Sequence, residues 1–567
     1  MQISAQIALI LWLFVAAMFP ASARAQGIVP TPPASAIPHA AYPNGSATPL
    51  DQQIETLLAD PSVSRAHWGI AVTTLDGTPL YGHDEGKLFR PASNNKIFTT
   101  ATAMALLGPG KTFDTRIFGN LDAATGTVSG DLTLVGGGDA NFGADDLPYV
   151  SRSERAKQQG AAPQPIATPQ PPALADLASL VDQLVAKGVK RITGSIVGDD
   201  TLFPYEPYAE SWSQDDQVWG YGAPISALSI DNNQLKLIVT PGASSGAGGY
   251  QPATVQLEQN VPYYTVEAQV ETSAAGTHAD GVAEERLPGS RVIRVYGSIA
   301  VDAHPDVEEL AIADPADYAA MALRVMLEQR GIVVTGTARA EHRPPSDATG
   351  YRSELLTPNP CDEATVAGGT CTVDCAVATP APSGELLASH TSASLAEDVV
   401  LTNKVSQNLH AETFLHNLGL RAACGHGSIV DGASLVRANL LHAGLDPDDF
   451  LFFDGSGLSD HDLVAPRAAV KFLAYVAQQP WFAQWKSSLP DAGEDGTLSG
   501  RFPDLPVKGH LFAKTGTLGE SRALSGYLDA ASGRTVIFSI LVDDHTPATS
   551  ADRVTMDKIV AAIAAAE

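Results

Sequence analysis

Basic side chains are scarce in this 567-residue chain. Its 35 Lys and Arg stand against 63 Asp and Glu, a formal net charge of −28 at pH 7. So acidic a balance argues against nucleic acid and anionic membrane surfaces as primary partners. Charged residues make up only 17% of the chain against 44% hydrophobic, the composition of a globular rather than a disordered protein. The length suffices for about two to four domains with cores of their own. Long apolar runs are missing beyond the N-terminus, so no later segment is expected to span a bilayer. The closing stretch Ala551–Glu567 reads as a helix of a globular domain, not as an anchor. No internal repeat is evident.

The first residues lack Lys and Arg, but Ile7–Phe19 is an uncharged apolar run too short to span a membrane, and Ala23-Arg24-Ala25 offers an Ala-x-Ala cleavage site before Gln26. Residues 1–25 therefore read as a secretory signal and the mature protein as exported, with no transmembrane anchor after cleavage. Cysteines are few: Cys361, Cys371, Cys375 and Cys424. Export permits disulfides, and one or two are expected, with three pairings of all four open. The Cys371-x-x-x-Cys375 spacing has no His at a matching distance. His410 and His416 lie six apart rather than the four that places two ligands on one helical face. No metal and no cofactor is expected.

From Gly27 to about Ser46 the chain is rich in Pro and Ala and reads as a flexible leader. Leu50–Ala59 has helical spacing. His67–Thr74 alternates as a strand, and Asp76-Gly77 turns it into a hairpin with Pro79–Tyr81. Strand-like runs follow at Thr112–Phe118, Gly130–Val135 and Ile192–Val197, with an amphipathic helix at Leu174–Lys187. A mostly strand region runs from Ala223 to about Ser298, followed by a helix over Asp317–Arg330 and a strand over Ile332–Ala340. Leu395–Leu420 and Ala465–Gln478 are helical. A strand starts at Phe512–Lys514, Ala523–Asp529 and Thr535–Val542 form a hairpin, and Arg553–Ala566 closes the chain as a helix. Gln158–Pro172 is low in complexity and Pro344–Pro382 is rich in Pro, Gly and Thr, so both read as surface excursions. Gly136-Gly137-Gly138-Asp139 lacks the Gly-Lys-Ser/Thr ending of a phosphate loop and reads as a turn.

Three short motifs carry chemistry. Ser93 and Lys96 open a helix that runs to about Leu107, where Gly108-Pro109-Gly110 stops it. Residues three apart share a helical face, so the Lys96 amine reaches the Ser93 hydroxyl, and a lysine of depressed pKa activates a serine. Ser406-Gln407-Asn408 supplies a second hydroxyl and an amide. Lys514-Thr515-Gly516-Thr517, at the end of an apolar strand, supplies groups that hold a carboxylate, with Gly516 permitting close approach to the strand. Together they provide the nucleophile, proton shuttle, oxyanion site and substrate anchor of a serine acyl transfer. Ser456, between glycines, reads as a loop residue rather than a nucleophile.

This set of motifs resembles the penicillin-recognising serine acyltransferases. The spacing is uneven: Ser406 lies 313 residues beyond Ser93, and Lys514 only 108 beyond Ser406. In that respect the chain is most similar to the class C low-molecular-mass penicillin-binding proteins, the D-Ala-D-Ala carboxypeptidase/endopeptidase family. Accessory stretches at Leu134–Asp139, Ile196–Asp200, Ala223–Ser229 and Asp454–Ser459 resemble the family as well. The resemblance implies an α/β (α+β) fold: a β-lactamase/transpeptidase-like domain, with a central antiparallel sheet flanked by helices, interrupted by two inserted mainly-β domains. The expected domains are 26–112 with 385–567 (catalytic), 113–222 with 299–343 (first insertion), 223–298 (second insertion) and 344–384 (a Cys- and Pro-rich excursion).

The same resemblance implies a periplasmic serine carboxypeptidase acting on peptidoglycan peptides that end in D-Ala-D-Ala, with endopeptidase action on cross-links in prospect and β-lactams as trapping ligands. Ser93 would attack, Lys96 would be its base, and Ser406 would relay the proton to the leaving D-Ala. Asn408 would orient the acyl side chain, Lys514 and Thr515 would hold the terminal carboxylate, and the backbone N–H groups of Ser93 and Thr517 would form the oxyanion hole. An acid from an inserted domain, Asp200 or its neighbour Asp199, would bind the stem-peptide amine. Two alternatives stand beside this. A β-lactamase or esterase on the same scaffold predicts a compact chain, which this is not. A non-catalytic peptidoglycan-binding protein predicts loss of a motif residue, and none is lost.

Overall fold

The computed structural model describes residues 48–145, 147–151, 154–155, 174–246, 249–258, 261–277, 281–345, 360–368, 382–422, 425–502, 506–546 and 549–567. The expected signal segment, the Gln158–Pro172 stretch and most of the 344–384 excursion lie outside them.

Two stretches far apart in sequence build one antiparallel sheet. Its strand order is Pro79–His83, His67–Thr74, Thr535–Asp543, Ser521–Asp529, Leu511–Leu518. The central strand is apolar almost throughout because both faces are covered, and its residues divide by parity. Val536, Phe538, Ile540 and Val542 pack with Trp68, Leu524 and the first and last helices, Pro49–Leu58 and Ala551–Ala566. Ile537 and Leu541 face the opposite layer, where Ile97, Phe98, Val399, Leu415, Phe472 and Trp485 form the larger core. Between these, Ser539 meets Ser525 across the strand pair through a hydrogen bond of 2.9 Å, a paired polar contact that satisfies two buried hydroxyls.

The helical layer carries two of the three motifs. Ala92–Asn94 is a single 3-10 turn that runs straight into the helix Asn95–Leu106. The helical region Leu395–Leu420 is broken into Leu395–Val405 and Asn408–Gly419. The break falls at Ser406, whose φ of 64° lies in the left-handed region. Ser394 caps the first of these helices with a capping box to Glu397. Helices at Ile429–His442, Phe482–Ser488 and Pro360–Val366 add to those predicted. The last of them gives the excursion a helix, and its Cys361 is disulfide-bonded; Cys371, Cys375 and Cys424 lie outside the described residues.

The interrupting residues form two further cores. One is a five-stranded sheet in the order Ala338–Arg343, Ile196–Pro204, Leu132–Val135, Asp114–Gly119, Glu385–Thr391, covered by the helices Ala175–Ala186 and Pro315–Gln329. The other joins two three-stranded sheets around Leu237, Val239, Ile293 and Val295. Two expected boundaries move. Glu385–Thr391 pairs with Asp114–Gly119 and so belongs to this five-stranded sheet, not with the residues 392–567 that follow it. Asp306–Ala311 pairs with Gln234–Thr240 and so belongs with the second insertion. The predicted strand Ile332–Ala340 is two strands in different sheets: Val333–Val334 pairs with Arg191–Ile192, and Ala338–Arg343 with Ile196–Pro204.

Phe538 is fully buried in the central strand. Phe538→Ala is expected to destabilise this antiparallel sheet by roughly 3–5 kcal/mol, the range for a truncated core aromatic, as read from urea unfolding. A change below 1 kcal/mol would contradict this packing.

Candidate active site

The Ser93 turn is held in place before any substrate arrives. Ala92 has a φ of 47°, unusual for a residue with a Cβ, and the loop Asp454–Ser459 lies directly against it. A Cβ on Gly457, itself at φ +81°, would sit 1.8 Å from the Ala92 carbonyl oxygen. The two following asparagines tie the turn to its surroundings. Asn94 Nδ2 donates to the Lys514 carbonyl at 2.9 Å. Asn95 Nδ2 donates to the Asp454 carbonyl at 2.8 Å and to Asp462 at 3.0 Å.

Lys96 is completely buried, and its Nζ has three neighbours: Ser93 Oγ at 3.0 Å, Asn408 Oδ1 at 2.6 Å and the Ser456 carbonyl at 2.8 Å. Burial pushes its pKa down to about 7, partly offset by the charges of Asp454 and Glu412. The geometry fixes the orientation of the neutral amine. Two of its three neighbours are carbonyl-type oxygens, which only accept, so both N–H bonds point at them. The lone pair is left facing the Ser93 hydroxyl.

The carbonyl of Ser456 is aimed by the loop beneath it. Glu412 accepts from the N–H groups of Gly455 and Ser456, the latter at 2.7 Å. Asp454 accepts from Gly457, Ser459 and Trp212 Nε1 at 2.7, 2.7 and 2.9 Å. Burial raises Glu412 to about 8, with the neighbouring Asp454 charge adding to the rise. Ser456 is thus a buried loop residue whose backbone, not its hydroxyl, meets the site.

The other two motifs converge on the same spot. Lys514 Nζ donates to Ser406 Oγ at 2.8 Å and to the Thr515 carbonyl at 3.0 Å. Burial, with the nearby Lys96 charge, holds its pKa well below the ordinary lysine value. Thr515 Oγ1 shares a 2.7 Å hydrogen bond with Thr497. Gly516 has a reason beyond substrate approach, since a Cβ there would lie 2.7 Å from the Pro91 carbonyl. Thr517 is exposed at the end of the edge strand. Asn408 Nδ2 donates to the Tyr221 carbonyl at 2.8 Å, and Tyr221 in turn donates its phenol to Asp216 at 2.9 Å.

Beside Ser406 and Asn408 opens a cavity of about 360 Å3, lined also by Asp145, Tyr149, Tyr221, Asn232, Gln234 and Glu309. Asp199 and Asp200 are not among its lining residues. Asp200 is buried, accepting from Ser226 Oγ and His342 Nδ1 at 2.9 Å each. Burial opposes charge on His342, but Asp200 and Asp314 together push it up to about 10. The expectation for Asp200 is therefore corrected: its carboxylate is spent on an internal ion pair with His342, while Asp145 and Glu309 line the cavity and Asp216 is bonded to Tyr221, another lining residue. The sequence carries a sign of Asp216, since it lies a few residues before Ala223–Ser229, but none that Asp145 and Asn232 would meet.

The family model for the D-Ala-D-Ala carboxypeptidase 3 (S13) family matches residues 50–351 and 362–564. The chain is 30% identical over 511 residues to a D-alanyl-D-alanine carboxypeptidase of an Actinomadura species, covering 88% of this chain and 82% of that one. Among solved structures it resembles penicillin binding protein 4 (dacB) of Haemophilus influenzae, with a TM-score of 0.69 at 21% identity over 90% of this chain and 98% of that one. A second structure of that protein, complexed with a β-lactam, gives a TM-score of 0.63 at 21% identity over the same shares of the two chains.

Gly457→Ala is expected to push the Ala92 carbonyl aside and misplace Ser93. Because displacement of about an ångström costs on the order of a hundredfold in rate, labelling of Ser93 by a β-lactam, followed by intact mass, should slow by that order. An unchanged rate would show that the turn is not held by this contact.

Proposed function

The chain belongs to the D-Ala-D-Ala carboxypeptidase 3 (S13) family, and on that premise we propose that it hydrolyses peptidoglycan peptides ending in D-Ala-D-Ala through an acyl-enzyme on Ser93, with Lys96 as the base. The observation that carries this reading is the Lys96 amine. It is buried, brought to about pKa 7, and turned by Asn408 and Ser456 so that its lone pair meets Ser93.

Ser93 Oγ attacks the carbonyl of the penultimate D-Ala, and its proton passes to Lys96 Nζ. The negative charge that develops on the carbonyl oxygen is received by the backbone N–H groups of Ser93 and Thr517. Collapse expels the terminal D-Ala. Its nitrogen takes a proton from Ser406, which is hydrogen-bonded to Lys514, and the proton that Lys96 took from Ser93 replaces it, leaving both Lys96 and Ser406 as they began. Water then attacks the ester, with the same groups moving the proton in reverse, and frees Ser93. The route is the same whether the departing amine is a single D-Ala or a second stem peptide in a cross-link. A β-lactam enters at the first step and is held as the ester.

Lys514 and Thr515 anchor the terminal carboxylate. In the free protein, burial disfavours charge on Lys514. An arriving carboxylate supplies the missing counter-charge and returns the amine to ammonium, so binding and protonation are coupled. Asp216, held by Tyr221 next to Asn408, takes the role of amine partner that had been expected of Asp200. Export to the periplasm, where such peptides occur, fits the apolar N-terminal run. Among the described residues no helix is long and apolar enough to cross a membrane.

Incubation with benzylpenicillin should add one drug mass per chain, and Ser93→Ala should abolish the adduct. An adduct that survives the substitution would overturn the assignment of Ser93. The acylation rate should also depend on pH in one direction. Lys96 accepts a proton only when neutral, so the rate should fall as pH drops through about 7, by roughly tenfold per pH unit below it. A rate that is flat between pH 6 and 8 would exclude Lys96 as the titrating base.

A further inference from the structure

His410 lies two residues beyond Asn408 on the same helix, is fully buried, and takes no part in the chemistry above. Its Nδ1 is 2.5 Å from Asp398 Oδ1, and its Nε2 is 2.8 Å from Asn232 Oδ1. Asn232 Nδ2 is 2.9 Å from Asp145 Oδ2. The row of contacts has one consistent assignment of hydrogens. Asp145, as a carboxylate, only accepts, so the amide of Asn232 presents its NH2 to Asp145 and its oxygen to His410. Nε2 must then carry a hydrogen. Nδ1 faces the carboxylate of Asp398 and must carry one too. His410 is an imidazolium with both N–H bonds used. Burial works against that charge, but Asp398 and its hydrogen bond, with Asp145 and Asp139 further off, raise the pKa above the ordinary histidine value.

The two ends of this row have different addresses. Asp398 and His410 sit on the two helices that flank Ser406. Asn232 and Asp145 belong to inserted segments, and both line the 360 Å3 cavity beside Ser406 and Asn408. Asn232 is held at φ 54°, ψ 21° between Asp231 and Asn233, which also have positive φ. Such backbone persists only where its surroundings over-determine it.

We propose that His410 is a specificity-determining positioning residue: pinned by Asp398, it sets the amide of Asn232 and through it Asp145, and so fixes the inserted-domain wall of the cavity into which the peptide arm of the substrate extends from Asn408. This rests on the carboxypeptidase reading above. The cavity lies in the size range of small-molecule sites, about 300–1,000 Å3. A substrate arm that reaches it meets the fixed Asn232 and Asp145, while a substrate with a short capped arm stops at Asn408.

The test compares two substrates, a short capped acyl-D-Ala-D-Ala and a full stem pentapeptide ending in D-Ala-D-Ala, by kcat and KM separately. Two variants break the row at different points. Asn232→Gly removes the amide while tolerating the left-handed backbone. The double variant Asp398→Leu with His410→Leu replaces the buried pair by apolar side chains, an exchange that folded proteins often tolerate. The unsubstituted protein should favour the pentapeptide, mainly through KM. Each variant should lose about tenfold of that preference, the scale of one hydrogen bond to a charged group. A general structural defect lowers both substrates in proportion and leaves the ratio unchanged, and that result in both variants would overturn the proposal. So would an unsubstituted protein that shows no preference. D-Ala release from the short substrate by the unsubstituted protein tests the carboxypeptidase reading separately, because that substrate does not engage the wall.

Discussion

The catalytic half of this protein is arranged around the burial of one amine. A lysine ammonium taken out of water loses hydration worth several kcal/mol, and at Lys96 that loss appears as a fall from 10.5 to about 7, equivalent to roughly 5 kcal/mol between the two protonation states. What makes the cost useful is direction. Asn408 and the Ser456 carbonyl occupy the amine's two N–H bonds, so the basic electron pair has one place to point. Neither partner is local in sequence. Asn408 heads a helix that starts after the break at Ser406, and Ser456 belongs to a loop whose backbone is gathered by Glu412 and Asp454.

The same constraint accounts for the second lysine. Burial is the main force lowering Lys514, and whenever Lys96 is protonated its charge adds to that fall. Burial thus leaves the Lys514 end of the free site without a counter-charge, the end at which the proposed reading places the substrate carboxylate. Backbone ties keep the two lysines in register: Asn94 bonds the Lys514 carbonyl, and Gly516 lets the edge strand pass the Pro91 carbonyl where any Cβ would collide. A side chain at Gly457 or Gly516 would disturb Ser93 through contact with its own turn, not through the substrate.

Much of this was legible in the sequence. The helix after Ser93, the hairpin of the central sheet, the closing helix and the three motifs follow from periodicity, turn residues and spacing, because apolar alternation and Gly-Pro punctuation act locally. Family membership extends that reading to the fold and the activity. Other features follow from contacts that no local pattern encodes. The charged strand Asp306–Ala311 has little apolar alternation, so its pairing with Gln234–Thr240 decides its domain. Asp200 reads from the sequence as the partner of the substrate amine, but His342, 142 residues away, binds its carboxylate. Asp145 has no motif around it, and only the fold brings it to the cavity beside Ser406 and Asn408.

The claim on which the rest depends is that burial brings Lys96 low enough for a large fraction of it to be neutral near pH 7. The most direct measurement is an NMR titration of the Lys96 side chain in protein labelled at lysine Cε, assigned with Lys96→Met. The account predicts a midpoint near pH 7. A midpoint near 10, the ordinary range for lysine, would leave Ser93 facing a permanent cation and would contradict the mechanism.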